Sequence, residues 1–267
     1  MYWLEGGPIG AIEGFGRIAK MSIDGGNINT LISGITTGSM PLTLDETHVY
    51  FADRWTIKKV PHAGGNIENI AIADYYIHDI TTDGINVYWI EDGPFAKIGK
   101  ISVNGEDKET LSNELSGPSG PITVHNLNVF WMAHYDTIAK VPMDGGLTEI
   151  IATGLPFLSD FVVDDTHAYF SEQDTGYIKK VSLNDGTITD LIGLSGATWR
   201  KLAVDDQNLY WIDQVSLGKI AIDGGTSTII DDSIQSDAYN PNSILVDDTS
   251  IYWTEVGTGD IKTMQPK

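Results

Sequence analysis

Short apolar runs rich in β-branched and aromatic residues recur along the entire chain, each bounded by Asp, Asn or Gly. Residues 160–192 show the unit most clearly, as DFVVDD, THAYFSE, GYIKKVSLNDG and TITDLIG in succession. Runs of this length and alternation predict short antiparallel strands, named A, B, C and D here. No segment sustains the apolar stripe of an amphipathic helix. Each B strand carries an aromatic pair: Tyr2-Trp3, Tyr50-Phe51, Tyr88-Trp89, Phe130-Trp131, Tyr169-Phe170, Tyr210-Trp211 and Tyr252-Trp253. The pairs return at intervals of about forty residues, the length of one four-stranded propeller blade, so the pattern predicts a repeat protein.

The corners between these strands have their own chemistry. The A-to-B corner is acidic at Asp45-Glu46, Asp164-Asp165, Asp205-Asp206 and Asp247-Asp248, where a short carboxylate can accept from the N–H groups of its own turn. The C-to-D corner carries Asp24-Gly25-Gly26, Gly64-Gly65, Asn104-Gly105, Asp144-Gly145-Gly146, Asp185-Gly186 and Asp223-Gly224-Gly225, glycine supplying the positive φ of a tight hairpin. Both sets are read as folding punctuation. Lys20, Lys59, Lys100, Lys140, Lys180 and Lys219 recur in the C strands, and their stems are expected to lie along blade faces. His48 and His167 occupy equivalent corners and read as turn residues, whereas His62 and His134 read as solvated.

The expected architecture is an all-β propeller of four-stranded antiparallel blades, with residues 1–267 as one domain. A strands begin near Pro41, Asp79, Pro121, Asp160, Lys201 and Ser243, one fewer than the B strands. Six blades are favoured on that count. Strands B, C and D within residues 1–34 would then be completed by an A strand from the A-B-C set in residues 243–267, because ring closure hides strand edges. Seven blades, one of them incomplete, is the alternative.

Charge and composition narrow the partners. Sixteen Lys and Arg against 37 Asp and Glu give a net charge of −21, a surface that repels a phosphate backbone and excludes nucleic acid as an expected partner. Without cysteine there is no disulfide framework, thiol catalysis or thiolate metal site. No apolar run is long enough to span a membrane. No signal peptide is visible, so an exported form would need one that this sequence does not show.

The segments VYWIED, LYWID and IYWTE, each preceded by an A strand such as KLAVDD or SILVDD and followed by a KIAIDGG-like strand, resemble the YWTD propellers of lipoprotein receptors and their bacterial relatives. The resemblance covers essentially the whole chain. It implies the propeller fold and an extracellular or periplasmic setting, and its motifs speak to packing more than to activity. The chain departs from the pattern at several fourth motif positions, and Phe replaces Trp at Phe51 and Phe170.

Removing the repeat positions leaves the candidate site. The D-to-A and B-to-C connections open on one face of a propeller, around the mouth of its channel. Two of the seven tryptophans, Trp55 and Trp199, are not repeat residues and fall in such loops, next to two of the three arginines, Arg54 and Arg200. Tyr75, Tyr76, Phe157 and Tyr239 belong to the same loops, as do Phe95, Tyr135 and Tyr177. An aromatic ring beside a cation can stack on a sugar or another ring while pairing with a carboxylate. Alignment of the copies places His78, Ser159, Arg200 and Asn242 at one A-strand position and Asp79, Asp160, Lys201 and Ser243 at the next. Asp79, Asp160 and Asn242 offer the oxygen ligands of a Ca²⁺-like cation, although Arg200 and Lys201 could neutralise the same carboxylates.

The expected function is a non-catalytic recognition or scaffold module. Its ligand-binding residues would be Arg54, Trp55, Tyr75, Tyr76, His78, Phe157, Trp199, Arg200 and Tyr239, with a protein segment or a glycan as ligand. The alternative is a lactonase- or lyase-like enzyme using a metal-bearing channel mouth. No Ser-His-Asp order, HExxH or nucleotide loop supports that alternative.

Overall fold

The computed structural model describes residues 1–5, 16–35, 41–115, 117–196, 199–235, 243–255 and 257–267. Its strands follow the predicted order. The first sheet is β1 (Tyr2–Glu5), β2 (Gly16–Lys20) and β3 (Asn29–Ile35). The second is β4 (Leu42–Leu44), β5 (His48–Asp53), β6 (Thr56–Pro61) and β7 (Glu68–Ile72). The third is β8 (Tyr76–Thr82), β9 (Asn86–Asp92), β10 (Ala96–Ser102) and β11 (Glu109–Leu115). The fourth is β12 (Pro118–His125), β13 (Asn128–Ala133), β14 (Thr137–Pro142) and β15 (Glu149–Ala152). The fifth is β16 (Leu158–Val163), β17 (His167–Glu172), β18 (Tyr177–Ser182) and β19 (Ile188–Gly193). The sixth is β20 (Lys201–Val204), β21 (Asn208–Ile212), β22 (Leu217–Ala221) and β23 (Thr228–Asp231). The seventh is β24 (Ile244–Val246), β25 (Ile251–Glu255) and β26 (Asp260–Met264).

The fold is an all-β, seven-bladed propeller, one blade more than the favoured expectation. Strands β1 to β3 form a sheet of their own, as do β24 to β26. The reason is local pairing. Strand β24 is paired by the strand that follows it, with Ile244 opposite Trp253 and Val246 opposite Ile251, so it is not the A strand that completes β1. Closing a four-residue corner costs far less chain entropy than recruiting a strand from the other end of the sequence. The chain forms two compact units, Met1–His134 with Lys140–Glu149, and Tyr135–Ala139 with Ile150–Lys267.

Within each unit the core lies between neighbouring sheets, and the aromatic pair explains how. Adjacent strand residues point to opposite faces. Tyr50 of the second sheet is buried in one cluster with Trp89 of the third. In the second unit Tyr169 meets Trp211, and Tyr210 meets Trp253, in the same manner. Trp89, Trp131 and Trp211 are fully buried. The Trp89 ring lies so close over Gly99 that a Cβ there would come within 2.2 Å of it, and Gly218 beneath Trp211 is in the same position.

The acidic corners anchor the tyrosines. In the second sheet Asp45 Oδ1 accepts the backbone N–H groups of Thr47 and His48, while Oδ2 accepts the Tyr50 hydroxyl at 2.6 Å. The same fork joins Asp83 to Tyr88, Asp164 to Tyr169, Asp205 to Tyr210 and Asp247 to Tyr252. In the fourth sheet the pair is replaced at both ends, by His125 and Phe130, and the corner turns instead through left-handed Asn126 and Leu127. Burial by itself would raise the Asp45 carboxyl, but the hydrogen bonds from Tyr50, Thr47 and His48 outweigh it and lower the group to about 2. His48 and His167 stand at the corners as the first residues of β5 and β17, their rings meeting the hydroxyls of Thr47 and Thr166 at 2.7 Å. His62, expected in solvent, instead lies against the Tyr2 ring with Nε2 buried.

The recurring lysines do more than lay their stems on the sheets. Lys59 donates to the Val103 carbonyl at 3.0 Å, Lys100 to Met143 at 2.9 Å and Lys180 to Ile222 at 2.8 Å, and Lys20 reaches the His62 carbonyl. Each thereby ties one sheet to the C-to-D corner of the next.

Tyr169→Phe is expected to cost about 1 kcal/mol at neutral pH, the net worth of a hydrogen bond to a partly buried group. Asp164 is held below its usual value of 3.8 in the folded state, by Tyr169 and its own turn against the opposing effect of burial. Its stabilisation is therefore present above that value and lost as the pH falls through and below it. Chemical denaturation should show the gap between wild type and Tyr169→Phe narrowing below pH 3.8; a gap independent of pH would dissociate the hydroxyl from Asp164.

Candidate recognition surface at the loop ends

Because the strands are antiparallel, the B-to-C turn and D-to-A linker of a sheet lie at the same end, and backbone bonds join them. Ala73 N–H donates to Trp55 O and Ile77 N–H to Arg54 O, both at 2.7 Å. In the second unit Leu155 N–H donates to Asp136 O at 3.0 Å and Leu158 N–H to Tyr135 O at 2.7 Å. The turns are held tightly enough to keep Arg54 and Tyr135 left-handed, at φ of 60° and 58°, a conformation that costs a non-glycine residue energy and persists only where its surroundings enforce it.

Beneath these loops lies a set of acids two residues after the second aromatic of each pair: Glu5, Asp53, Glu91, Glu172, Asp213 and Glu255, with Ala133 in the fourth sheet. Glu91, Glu172 and Glu255 are buried. Where the acid is glutamate and the aromatic tryptophan, Trp Nε1 donates to it: Trp3 to Glu5, Trp89 to Glu91 at 2.8 Å, and Trp253 to Glu255. Trp131 has only Ala133 at that place, and Trp211 has the shorter Asp213; both indole N–H groups are buried without a partner among the described residues. Cations neutralise the acids: Arg17 for Glu5, Lys58 for Asp53, Lys179 for Glu172 and Lys262 for Glu255. Sequence reasoning missed these acids as a buried set, although their regular place after the aromatic pair was the available signal.

Arg200 belongs to this system. The sixth sheet has Gly218 beneath Trp211, where the second and fifth have Lys58 and Lys179, so its C strand supplies no cation at that place. Arg200, with no exposed surface, faces Asp213 at 3.4 Å instead. Burial lowers its guanidinium from its usual value, opposed by Asp213. It was expected on the binding surface and is buried below it.

The aromatic residues of the loops fall into two groups. In the first unit Trp55 is 51% exposed, and Tyr75 and Tyr76 are exposed beside it in sequence register, with exposed Arg54 at the same turn. Glu91 Oε2 fixes the Tyr75 loop by accepting the N–H groups of Asp74 and Tyr75 at 2.9 and 3.1 Å. In the second unit Tyr135 and Phe157 stack at 4.4 Å and 13°, and Trp199 meets Phe157 edge-on at 5.8 Å and 85°. Three separate loops thus contribute one ring each to a continuous cluster, with Phe157 36% exposed. Tyr239 lies outside the described residues.

The polar positions expected at the channel mouth are occupied by structural contacts. His78 and Ser159 sit at equivalent register shifts of β8 and β16. Ser159 Oγ lies 2.7 Å from Ser171 Oγ. Asp79 Oδ2 accepts the Ile122 N–H of β12 at 3.0 Å, and Asp160 Oδ2 accepts the Leu202 N–H of β20 at 2.9 Å. Each carboxylate thus clamps its A strand to the A strand of the next sheet. Lys201 Nζ stands 3.4 Å from Asp160 Oδ1, and burial nonetheless raises the Asp160 carboxyl. Asn242 lies outside the described residues. Among the described residues no three His, Asp or Glu side chains are grouped to hold a metal.

No family model and no curated protein matches the chain. Solved structures do match. A chain of a nidogen/laminin complex is 17% identical with a TM-score of 0.60, over 79% of this chain and 87% of that one. The computationally designed Ika8 protein is 16% identical with a TM-score of 0.67, over 94% and 78%. A chain of the mitotic checkpoint complex is 10% identical with a TM-score of 0.69, over 85% and 73%. At such identities the likeness establishes the fold alone.

Trp89→Phe should destabilise the protein by about 1–3 kcal/mol more than Trp131→Phe, because only the first leaves a buried carboxylate short of a donor. Denaturant midpoints of the two variants measure the difference, and equal losses would show that the Trp89–Glu91 bond contributes nothing.

Proposed function

We propose that this protein is a non-catalytic recognition module of the YWTD propeller type that binds a protein segment through aromatic side chains at its loop ends. The observation that carries this is the Tyr135–Phe157–Trp199 cluster. Its rings come from three loops, none belongs to the repeat, and Phe157, which touches both of the others, is exposed. Aromatic clusters of limited side-chain entropy are favoured anchors in recognition sites. Trp55 with Arg54, Tyr75 and Tyr76 supplies a second patch of the same character in the first unit. Two of the fold neighbours come from structures described as complexes, which favours a protein ligand over a glycan. The resemblance of the repeats to receptor propellers sets such recognition outside the cytoplasm, in an extracellular or periplasmic compartment. Arg200 supports the loops in this scheme through Asp213.

Phe157→Ala and Trp199→Ala should weaken ligand binding while changing thermal stability little, as half-exposed loop residues do. Trp211→Ala should instead cost about 3–5 kcal/mol through the cavity it leaves. If Trp199→Ala lost as much stability as Trp211→Ala, the cluster would be core and not a binding platform.

Asp79 and Asp160 are proposed to act as strand clamps without a cation. A chelator should then leave the melting temperature unchanged. A chelator-sensitive transition, reversed by added Ca²⁺, would show a metal bound to the folded state and favour the enzyme alternative.

A further inference from the structure

The third and fourth sheets depart from the repeat at one end. The third residue of the A-to-B corner is exposed in every sheet from the second to the seventh; it is Thr47, Thr166, Gln207 and Thr249 in four of them, but Ile85 in the third and Leu127 in the fourth. The residue after the paired glycines of the C-to-D corner is Asn27, Asn66 or Thr226 in three sheets and Leu147 in the fourth. At 71%, 80% and 87%, Ile85, Leu127 and Leu147 are the most exposed large apolar side chains among the described residues. Backbone bonds draw the corners together: Val103 N–H donates to Ile85 O and Met143 N–H to Leu127 O, both at 2.9 Å. Lys100 of the third sheet reaches Met143 O of the fourth. All of these corners of the third and fourth sheets belong to the first unit.

Leu127 is held at a cost. Asn126 and Leu127 have φ of 42° and 62°, a turn with both central residues left-handed, in which asparagine followed by glycine is the favoured pair. Leucine resists that conformation because its Cβ crowds the following carbonyl, and with its side chain in water it makes little packing contact to offset the strain. Neither blade packing nor turn chemistry accounts for it. Charge indicates what would cover it. The same corners carry Glu106, Asp107 and Asp144, all exposed and none in an ion pair among the described residues, while Lys100 is committed to Glu109 and Lys140 to Glu149. Aliphatic side chains that share their corners with uncompensated carboxylates complement a segment apolar on one face and basic on the other. The same charge disfavours a second copy of this chain, whose carboxylates would meet their own kind, and an anionic lipid surface.

We propose that Ile85, Leu127 and Leu147 form a docking site for an amphipathic, basic segment of a partner polypeptide, at the end of the sheets opposite the Trp55 loop. The three aliphatic side chains take the apolar face of the segment, and Glu106, Asp107 and Asp144 take its lysines or arginines. This site is independent of the aromatic residues of the loops.

The probe is a labelled peptide made only of leucine and lysine, with its leucines on one helical face. Saturable binding is expected. A peptide of equal charge with glutamine in place of leucine leaves the protein untouched and should bind about tenfold more weakly. The triple variant Ile85→Thr, Leu127→Gly, Leu147→Asn keeps the net charge and should lose binding of the leucine peptide by about the same factor. Leu127→Gly alone should leave the melting temperature unchanged or raise it by up to about 4 °C through relief of strain; a fall would assign Leu127 to the fold and remove the site. Equal binding of both peptides, or of both proteins, would reduce the interaction to net charge and overturn the proposal. So would a sedimenting dimer that the triple variant abolishes, which would assign the patch to a second copy, or binding of phosphatidylcholine vesicles by the wild type and not by the variant, which would assign it to lipid.

Discussion

The B strands of the second to sixth sheets are buried on both faces, and that constraint dictates the rest. A strand covered on both sides needs large apolar groups pointing both ways at adjacent positions. The Tyr-Trp pair meets this need: tyrosine faces the next sheet and tryptophan the preceding one, as Tyr50 and Trp89 show across one interface. Both residues carry a polar atom, and a buried donor without an acceptor is costly. The corner aspartate accepts from the tyrosine, and the glutamate two residues past the tryptophan accepts from the indole. In the fourth sheet the tyrosine and its acceptor change together: Phe130 has no corner aspartate, and the turn passes through Asn126 and Leu127.

The same constraint separates folding from recognition. Repeat positions are committed to packing, to corner hydrogen bonds and to the lysines that link one sheet to the next corner. The residues outside the repeat concentrate where B-to-C turns and D-to-A linkers meet, and the proposed recognition role falls to them. There the backbone is held in left-handed conformations at Arg54 and Tyr135, and the buried acids below hold it from beneath, as Glu91 does for the Tyr75 loop. A rigid support under short loops keeps aromatic side chains in place with little ordering left for binding.

The sequence by itself determined the strands, their order and the equivalence of the copies, because period-two alternation and tight-turn residues are local properties of the chain. It also separated Trp199 and Phe157 from the repeat, since a residue that does not recur is not explained by blade packing. Blade number was not legible, because counting A strands cannot show that β24 pairs with β25 in place of completing β1. The fate of Arg200 was equally hidden. Beside Trp199 in sequence it reads as a surface cation, and only the tertiary structure shows Gly218 beneath Trp211, where the second and fifth sheets supply lysine, with Arg200 buried against Asp213. Asp79 and Asp160 read as metal ligands by charge and symmetry, yet each lies within reach of a backbone N–H from the next sheet. Contacts made across about forty residues belong to the packing of one blade on the next, and no local pattern encodes them.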